Sequence, residues 1–188
     1  MRTVRTKIYK FEELSKEAQS IAIDNCRNIN NSDDFWFDPI LEGFTEQLSE
    51  AGFLDATIQF SGFWSQGDGL SFDAKVNVSK FATTANEIRV SKLIDFGFID
   101  EFTIEKTSFS NHYSHEKTRY IDYSICNGDN LNEELKKLSN KIELKRLDLC
   151  REFYSILEKE YYFLKSDECV KETIIANEYE FLKDGTKF

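Results

Sequence analysis

The sequence predicts an α+β fold in which an antiparallel sheet of roughly four to six strands packs against helices, including a long C-terminal helix. Apolar and polar residues alternate over residues 54–60 and again over 70–78, which is the period of a half-buried strand. Elsewhere apolar residues recur at three- and four-residue steps, over the longest stretch from residue 129 to 164. That spacing is typical of amphipathic helices. The two strands flank a glycine-rich loop, so we expect them to pair antiparallel.

The N-terminal elements are predicted from charge and from capping residues. Residues 2–10 alternate weakly among basic side chains and predict an edge strand, whose charges discourage further pairing. Ser15 is a candidate N-cap for a helix whose apolar residues recur along one face. A second helix is expected to start with Asp38 as N-cap and Pro39 in the first turn. It should end at Gly52, where glycine suits a left-handed conformation.

The middle of the chain predicts one helix and two more strands. Residues 81–98 fit a third helix, although several aromatic and branched residues blur its apolar stripe. Residues 102–109 and 118–126 have the composition and alternation of strands. The polar connection between these strands, residues 110–117, holds both histidines of the chain.

The C-terminal part is predicted to be mainly helical. The stretch from residue 129 to 164 is too long to be unsupported, so we expect it either to span the sheet or to break once. Ser166 is a candidate cap for a short helix that runs through Ala176. Residues 177–188 are then expected to form a strand, an Asp-Gly turn and a short return strand.

Length and composition predict a single domain over residues 1–188. Of these residues 40% are apolar, 14% are aromatic and one is a proline, which suits a chain that buries a substantial core. No apolar run approaches the roughly 20 residues that a membrane helix requires, and the first residues lack the apolar segment of a secretory signal. We therefore expect a cytoplasmic protein that makes no contact with a membrane.

The charge of the chain is unevenly distributed. The formal net charge is -10 at pH 7, and residues 11–100 hold sixteen Asp or Glu against six Lys or Arg. A surface of this sign repels nucleic acid and attracts basic partners, so direct binding of DNA or RNA is not expected. Ordinary solubility is the simpler explanation for much of the acidic composition.

Cysteines and aromatic blocks are interpreted as core-filling residues. The cysteines are far apart and form no CxxC pair, so we expect reduced side chains that pack as small hydrophobes, without a metal or disulfide framework. They are Cys26, Cys126, Cys150 and Cys169. Two aromatic blocks, residues 35–37 and 161–163, are expected to fill the core rather than to form an exposed patch.

No motif in the sequence assigns a catalytic residue. The chain contains no phosphate-binding glycine motif, no nucleophile elbow and no metalloprotease helix signature. His112 and His115 could act as acid-base residues or metal ligands, but two histidines three residues apart in a loop make no zinc signature without partners. We expect both to face solvent. We predict no cofactor, and an enzyme is the less favoured class.

The glycine-rich loop between the first two predicted sheet strands is the candidate binding site. Phe63 and Trp64 could stack on a base, a ring or a partner side chain. Ser65, Gln66 and Asp68 supply polar groups that could orient a ligand. The alternative is that the aromatic side chains cap the core and that Asp68 accepts hydrogen bonds from turn amides. The glycines on either side of Asp68 give turn chemistry that admits positive φ.

Four stretches of the chain resemble small proteins encoded by tailed phages and prophages. They run from near the N-terminus to the last residues, and the glycine loop is the most specific of them. The stretches are residues 9–18, Phe60-Ser61-Gly62-Phe63-Trp64-Ser65-Gln66-Gly67-Asp68-Gly69-Leu70-Ser71-Phe72, residues 157–164, and residues 176–181 with Asp184-Gly185. Proteins of this group are labelled hypothetical or, loosely, antitoxins of toxin–antitoxin systems. The resemblance implies a phage protein in the bacterial cytoplasm and supplies no catalytic residues.

The resemblance also implies a function, because phage accessory proteins of this size often bind and block a host protein. We therefore expect a non-enzymatic protein that inhibits a host anti-phage defence component by protein–protein interaction. The acidic region 11–100 and the loop residues 63–68 are the preferred contact surface. The alternatives are an antitoxin-like protein that neutralises a cognate toxin, and a small-ligand-binding protein or enzyme that uses the loop. The chain could also form a homodimer.

Overall fold

The structure is a computed structural model, which describes residues 5–33, 35–84, 99–106, 114–125 and 132–188. It is an α+β fold with a long C-terminal helix, as the sequence predicts. The strands are β1 (Tyr9–Lys10), β2 (Phe53–Ser61), β3 (Gly69–Val76), β4 (Ile99–Lys106), β5 (Arg119–Ile125) and β6 (Glu180–Phe181). The helices are α1 (Lys16–Asn25), α2 (Asp38–Glu50), α3 (Val78–Thr84), α4 (Asn132–Leu164) and α5 (Asp167–Ala176), with 3₁₀ helices at Phe11–Glu13 and Glu116–Thr118.

The described residues form two antiparallel sheets, and each sheet belongs to one compact unit of the chain. One sheet has four strands in the order β2-β3-β4-β5, and the other consists of β1 paired with β6. The four-stranded sheet lies in the unit Asp38–Leu157, which we call the sheet unit. The two-stranded sheet lies in a unit made of Met1–Phe37 and Glu158–Phe188, which we call the terminal unit. The single domain over residues 1–188 stays a prediction.

The pairing of β2 with β3 confirms the prediction made from alternating residues. Ile58 lies opposite Phe72, and Phe60 lies opposite Leu70. Because opposite residues in an antiparallel pair share a face, both strands present these apolar side chains to the same side of the sheet. The register shifts between Leu54 and Thr57, so Phe53 lies opposite Val76, whereas the predicted apolar position Leu54 lies opposite Lys75. The apolar residues of β3 are all buried, namely Leu70, Phe72, Ala74 and Val76. The sheet unit also buries Phe44 of α2, whose ring stacks 4.1 Å from that of Phe153 in α4.

Helix α2 is followed by the left-handed glycine that the sequence predicts. Gly52 has a φ of 95°, and its N–H donates a hydrogen bond of 3.0 Å to the carbonyl of Ser49. A Cβ at Gly52 would lie 2.8 Å from the backbone nitrogen of Phe81, so the position excludes side chains on steric grounds as well. The helix begins at Asp38 itself, so this residue belongs to the first turn instead of preceding it as an N-cap.

Two serine caps begin the helices of the terminal unit, both as predicted. The Ser15 hydroxyl accepts a hydrogen bond of 3.2 Å from the N–H of Ala18, and the Ser166 hydroxyl accepts one of 3.3 Å from the N–H of Cys169. Residues 2–4 of the predicted N-terminal strand lie outside the described residues. In the rest of that stretch, strand β1 consists of two residues, which pair with β6. The core of the unit consists of Phe11, Leu14, Ala18, Ala22, Cys26, Val170, Ile174 and Phe181.

Helix α4 is continuous over 33 residues, so the predicted long helix does not break. At 1.5 Å per residue it is roughly 50 Å long. The buried residues of its portion within the sheet unit recur at helical spacing and include Leu138, Ile142, Leu149, Phe153 and Leu157. None of the helices in the described ranges combines the length and hydropathy that a membrane span requires.

The ends of several predicted elements differ from the structure. Helix α3 begins at Val78, three residues before the predicted start, and residues 85–98 of the prediction lie outside the described residues. Strand β4 begins at Ile99, three residues before the predicted start. Its position is set by pairing with β5, where Ile99 lies opposite Ile125, and this partner is not identified by local alternation. Cys126 and His112 also lie outside the described residues.

The prediction that both aromatic blocks fill the core is wrong for three of their residues. Tyr161 is buried, and its ring centroid lies 6.0 Å from that of Trp36. Phe35, Tyr162 and Phe163 are exposed. Successive residues of a helix point about 100° apart, so a helix face that buries Tyr161 leaves the two following rings outside the core.

Candidate binding site

The glycine loop, residues 62–68, connects β2 to β3 and is closed by Asp68. The Asp68 Oδ2 atom accepts hydrogen bonds of 2.7 Å from the N–H groups of both Trp64 and Ser65. The Asp68 N–H donates a hydrogen bond of 3.0 Å to the Ser65 carbonyl. The carboxylate therefore takes the place of a backbone acceptor within the turn. Of the two interpretations of Asp68, the one in which it binds turn amides is confirmed.

Aromatic contacts hold the base of the glycine loop. The ring centroid of Phe63 lies 5.8 Å from that of Phe60 and 5.4 Å from that of Tyr154 in α4. The Tyr154 hydroxyl donates a hydrogen bond of 3.0 Å to the carbonyl oxygen of Gly62. Phe63 thus packs on the sheet unit, as the core-capping alternative predicts, and Tyr154 fixes the start of the loop to the long helix.

Trp64 is the exposed aromatic residue of the loop. Its ring meets that of Phe63 edge to face at 6.2 Å, yet 71% of the residue is accessible to solvent. Ser65 and Gln66 are exposed as well. The structure therefore brings all five candidate residues into one loop but divides their roles. Phe63 and Asp68 stabilise the loop, and Trp64, Ser65 and Gln66 face the solvent.

The glycines at the two ends of the loop allow close approach of neighbouring side chains. A Cβ at Gly62 would lie 2.9 Å from Asp68 Oδ2, and a Cβ at Gly69 would lie 3.0 Å from Cδ2 of His115. Among the described residues, the glycines with positive φ lie elsewhere in the chain. The turn chemistry of this loop admits positive φ, but the Asp68 carboxylate closes the turn without a left-handed glycine.

Residues 114–119 form a polar segment that packs beside the loop. The Ser114 N–H donates a hydrogen bond to the Ser61 hydroxyl, and that hydroxyl donates one to the Ser114 carbonyl, each 3.2 Å long. His115 Nδ1 accepts a hydrogen bond of 3.1 Å from the Lys117 N–H at the start of a 3₁₀ helix. His115 is half-buried, so it faces the solvent only in part. Sequence reasoning missed the contact between this segment and the glycine loop, because Ser61 and Ser114 are 53 positions apart.

Two arginines of α4 bind this polar segment. Arg146 is fully buried, and its Nη1 donates a hydrogen bond of 2.8 Å to the Glu116 carbonyl. Its Nε and Nη2 donate to the Glu143 carboxylate over 2.7 and 2.6 Å. Arg151 donates two hydrogen bonds of 3.0 Å to the Glu116 carboxylate. Burial acts to lower the pKa of Arg146, but the hydrogen bonds and charge of Glu143 raise the pKa above its ordinary value.

Arg119 connects β5 to two other strands of the sheet. Its buried side chain places Nε 2.5 Å from Asp73 Oδ1 of β3, and its Nη2 donates a hydrogen bond of 3.1 Å to Gln59 Oε1 of β2. A buried guanidinium needs such partners, because an unpaired charge in the interior is strongly destabilising. The sequence signal, an arginine at the start of a predicted strand, does not identify these partners.

The arrangement is suited to binding. The described residues contain no group of three or more His, Cys, Asp and Glu side chains that could hold a metal ion. Burial raises the pKa of Cys150 to about 12, so its thiol is protonated at neutral pH and is a poor nucleophile. The loop instead presents an indole, a hydroxyl and an amide side chain on a backbone that is fixed from several sides.

One comparison with known proteins gives a match. The family model described as Domain of unknown function (DUF8835) matches residues 36–167. This match contains the whole sheet unit, with the glycine loop and residues 114–119. No curated protein and no solved structure matches the chain. Since the family model covers more than half of the 188 residues, the protein belongs to the DUF8835 family.

Proposed function

We propose that this protein is a phage-encoded, non-enzymatic accessory protein that binds and inhibits a host anti-phage defence component in the bacterial cytoplasm. The phage setting and the defence target are supported by the resemblance of four stretches of sequence to phage and prophage proteins. The binding role is supported by the geometry of the glycine loop. The observation that carries it is the 71% exposure of Trp64 on a loop held by internal contacts.

An exposed indole on a fixed loop is well suited to protein–protein contact. A tryptophan can bury about 150–250 Å² of surface, and tryptophan is among the residues that most often dominate binding energy. A loop that is already ordered loses little conformational entropy when it binds. The order comes from the two amide hydrogen bonds to Asp68 and from the Tyr154 hydrogen bond to the Gly62 carbonyl. Trp64 is therefore presented in a defined position before a partner arrives.

The contact made by the loop tip is uncharged and combines the Trp64 indole with two neutral polar side chains. Ser65 and Gln66 are neutral, and the Asp68 carboxylate already accepts hydrogen bonds from two loop amides. The acidic side chains of region 11–100 act at longer range, where they raise the rate of encounter with a basic partner. In this proposal charge brings the partner close, and burial of the Trp64 indole determines how long the complex lasts.

Trp64→Ala tests the proposal most directly, with Phe188→Ala as a matched control. Phe188 is an aromatic residue of nearly equal exposed fraction, 70% against 71%, and it lies in the terminal unit. We expect wild-type protein and Phe188→Ala to capture the defence component from infected cells, and Trp64→Ala to lose that capture. Both variants should keep the melting temperature of the wild type, since neither removes a buried side chain.

Plaque counts separate inhibition of a defence component from other roles. A phage that carries Trp64→Ala should form fewer plaques than wild type on a defended host and equal numbers on an undefended one. Equal numbers on both hosts would contradict the defence target. Capture that survives Trp64→Ala would contradict the loop as contact surface, and capture of a toxin encoded beside this chain would support the antitoxin-like alternative.

A further inference from the structure

A cavity of about 270 Å³ lies in the terminal unit, at the 3₁₀ helix Phe11–Glu13 and the C-terminal end of α5. Its lining includes the buried side chains of Phe11 and Ile174 and the partly exposed side chains of Ile175 and Tyr179. Pockets for drug-sized ligands measure about 300–1,000 Å³, so this cavity is suited to a single large side chain.

The turn after α5 fixes one wall of the cavity. The N–H of Glu178 donates a hydrogen bond of 3.0 Å to the Ile175 carbonyl, and the N–H of Tyr179 donates one of 3.1 Å to the Ile174 carbonyl. This pair of bonds is the helix ending that usually places glycine in the left-handed position. Here Glu178 occupies that position with a φ of 51°. The backbone of this glutamate, at the rim of the cavity, therefore has a conformation that is unfavourable for a residue with a side chain. Strained backbone conformations of this kind are concentrated at functional sites.

The rim of the cavity has an excess of negative charge. Lys10 Nζ donates a hydrogen bond of 2.8 Å to the Glu178 carbonyl and lies 3.7 Å from Glu178 Oε2 and 3.6 Å from Glu180 Oε1. A second lysine is also close, because Lys187 Nζ lies 3.7 Å from the ring centroid of Tyr179. The carboxylates of Glu12, Glu178 and Glu180 therefore outnumber the two ammonium groups near the cavity. Glu12 also lines the cavity, is exposed, and makes no hydrogen bond or ion pair with the described part of the chain. The floor of the cavity is apolar, and its rim carries an excess of carboxylates. Such a site favours a ligand in which an apolar side chain is next to a cation.

We propose that this cavity binds a leucine-sized side chain of a partner segment in which a lysine or arginine is adjacent. The aliphatic group contacts Phe11, Ile174 and Tyr179, and the cation lies near Glu12. Both sides of the cavity, residues 10–12 and 174–179, lie outside the family match at residues 36–167. The site is therefore separate from the glycine loop, and the proposal does not depend on the function proposed for that loop.

Titration of the full-length ¹⁵N-labelled protein with two capped dipeptides tests the proposal. The probes are the N-acetylated amides of leucyl-arginine and leucyl-glutamate. We expect saturable shifts of the amide signals of Glu12, Ile175 and Tyr179 with the arginine probe at millimolar concentration. The glutamate probe should bind at least tenfold more weakly. Absence of saturable shifts, or equal affinity for the two probes, would overturn the proposal.

Two variants and a control locate the binding. Ile175→Lys places a cation in the cavity and should weaken the arginine probe at least tenfold. Ile156→Lys adds the same charge to α4 at a residue with the same 38% exposure and should leave the affinity unchanged. Glu12→Gln removes the free carboxylate and changes no buried side chain. This variant therefore tests the proposal even if Ile175→Lys fails to fold. It should weaken the arginine probe by about threefold. Unchanged affinity in Glu12→Gln would overturn the role assigned to the charge.

Discussion

Asp68 accepts hydrogen bonds from the amides of Trp64 and Ser65, so its carboxylate serves the loop in which it lies. Its position between two glycines is equally compatible with a ligand-binding role, and the sequence leaves both interpretations open. Which of the two roles Asp68 has depends on whether the chain bends back within four residues, and only the folded backbone shows this. Trp64 illustrates the same limit, because its exposure depends on which of two neighbouring rings packs against Tyr154.

Asp68→Ala should lower the free energy of unfolding by about 1–2 kcal/mol, because two loop amides lose their acceptor. Asp68→Asn keeps one acceptor oxygen and should lose about half as much. Urea denaturation of the two variants and the wild type measures both differences. An Asp68→Ala protein as stable as wild type would show that water replaces the carboxylate at no cost and that the loop is not held in this way.

Cys150 predicts a pH dependence of stability. Its pKa is raised by burial from an ordinary value of 9.0 to about 12, so the folded protein keeps the thiol proton after the unfolded chain has lost it. The unfolded state then binds fewer protons, and the free energy of unfolding falls as pH rises from about 9, by about 1.4 kcal/mol per pH unit. The stability difference between wild type and Cys150→Ala should be constant below pH 8 and shrink above pH 9. A constant difference up to pH 10.5 would contradict this account.

At the scale of elements, two left-handed turns of the terminal unit should respond to substitution in opposite directions. Gly185 has a φ of 88°, and a Cβ there would lie 2.2 Å from the Ala18 carbonyl oxygen. Gly185→Ala should therefore lower the free energy of unfolding by about 3 kcal/mol or more. Glu178 has a φ of 51° and a largely exposed side chain, so Glu178→Gly should raise it by about 0.5 kcal/mol. Thermal denaturation measures the direction of both changes in stability. A loss of stability in Glu178→Gly would contradict the inference that the backbone of Glu178 is strained.

Arg146 joins α4 to the 3₁₀ helix Glu116–Thr118, so its replacement should weaken the contact between these elements. Arg146→Met removes the hydrogen bonds to the Glu116 carbonyl and the Glu143 carboxylate. Glu143 is partly exposed and can bind water, so we expect a loss of about 2–3 kcal/mol, less than for a fully buried orphaned charge. Hydrogen exchange should show faster opening of residues 114–119. Exchange rates equal to those of wild type would contradict the connection.

The elements that the sequence predicts well are those specified by local pattern. Period-two alternation identified β2 and β3, and the caps at Ser15 and Ser166 identified two helix starts. The contacts that join residues 114–119 to β2, β3 and α4 could not be predicted, because the partners are far apart in the sequence. Arg119 is an example, since its partners on β2 and β3 follow only from the strand order.

At the scale of the whole molecule, the family match and the compact units divide the chain at similar places. The match covers residues 36–167 and the sheet unit covers Asp38–Leu157. The glycine loop therefore lies in the part that the chain shares with its family, whereas the cavity at Lys10–Glu12 and residues 174–179 lies outside it. The two proposed contact surfaces can be tested with separate variants, because their residues belong to different units.

The dissociation constant of the captured partner for wild type, Trp64→Ala and Phe188→Ala tests the central claim most directly. If the Trp64 indole dominates the contact, Trp64→Ala should weaken binding by about 30-fold or more, which corresponds to about 2 kcal/mol. Phe188→Ala, which removes an equally exposed ring, should change the constant by less than about twofold. Equal dissociation constants for wild type and Trp64→Ala, with both proteins folded, would contradict the proposal that this loop is the docking surface.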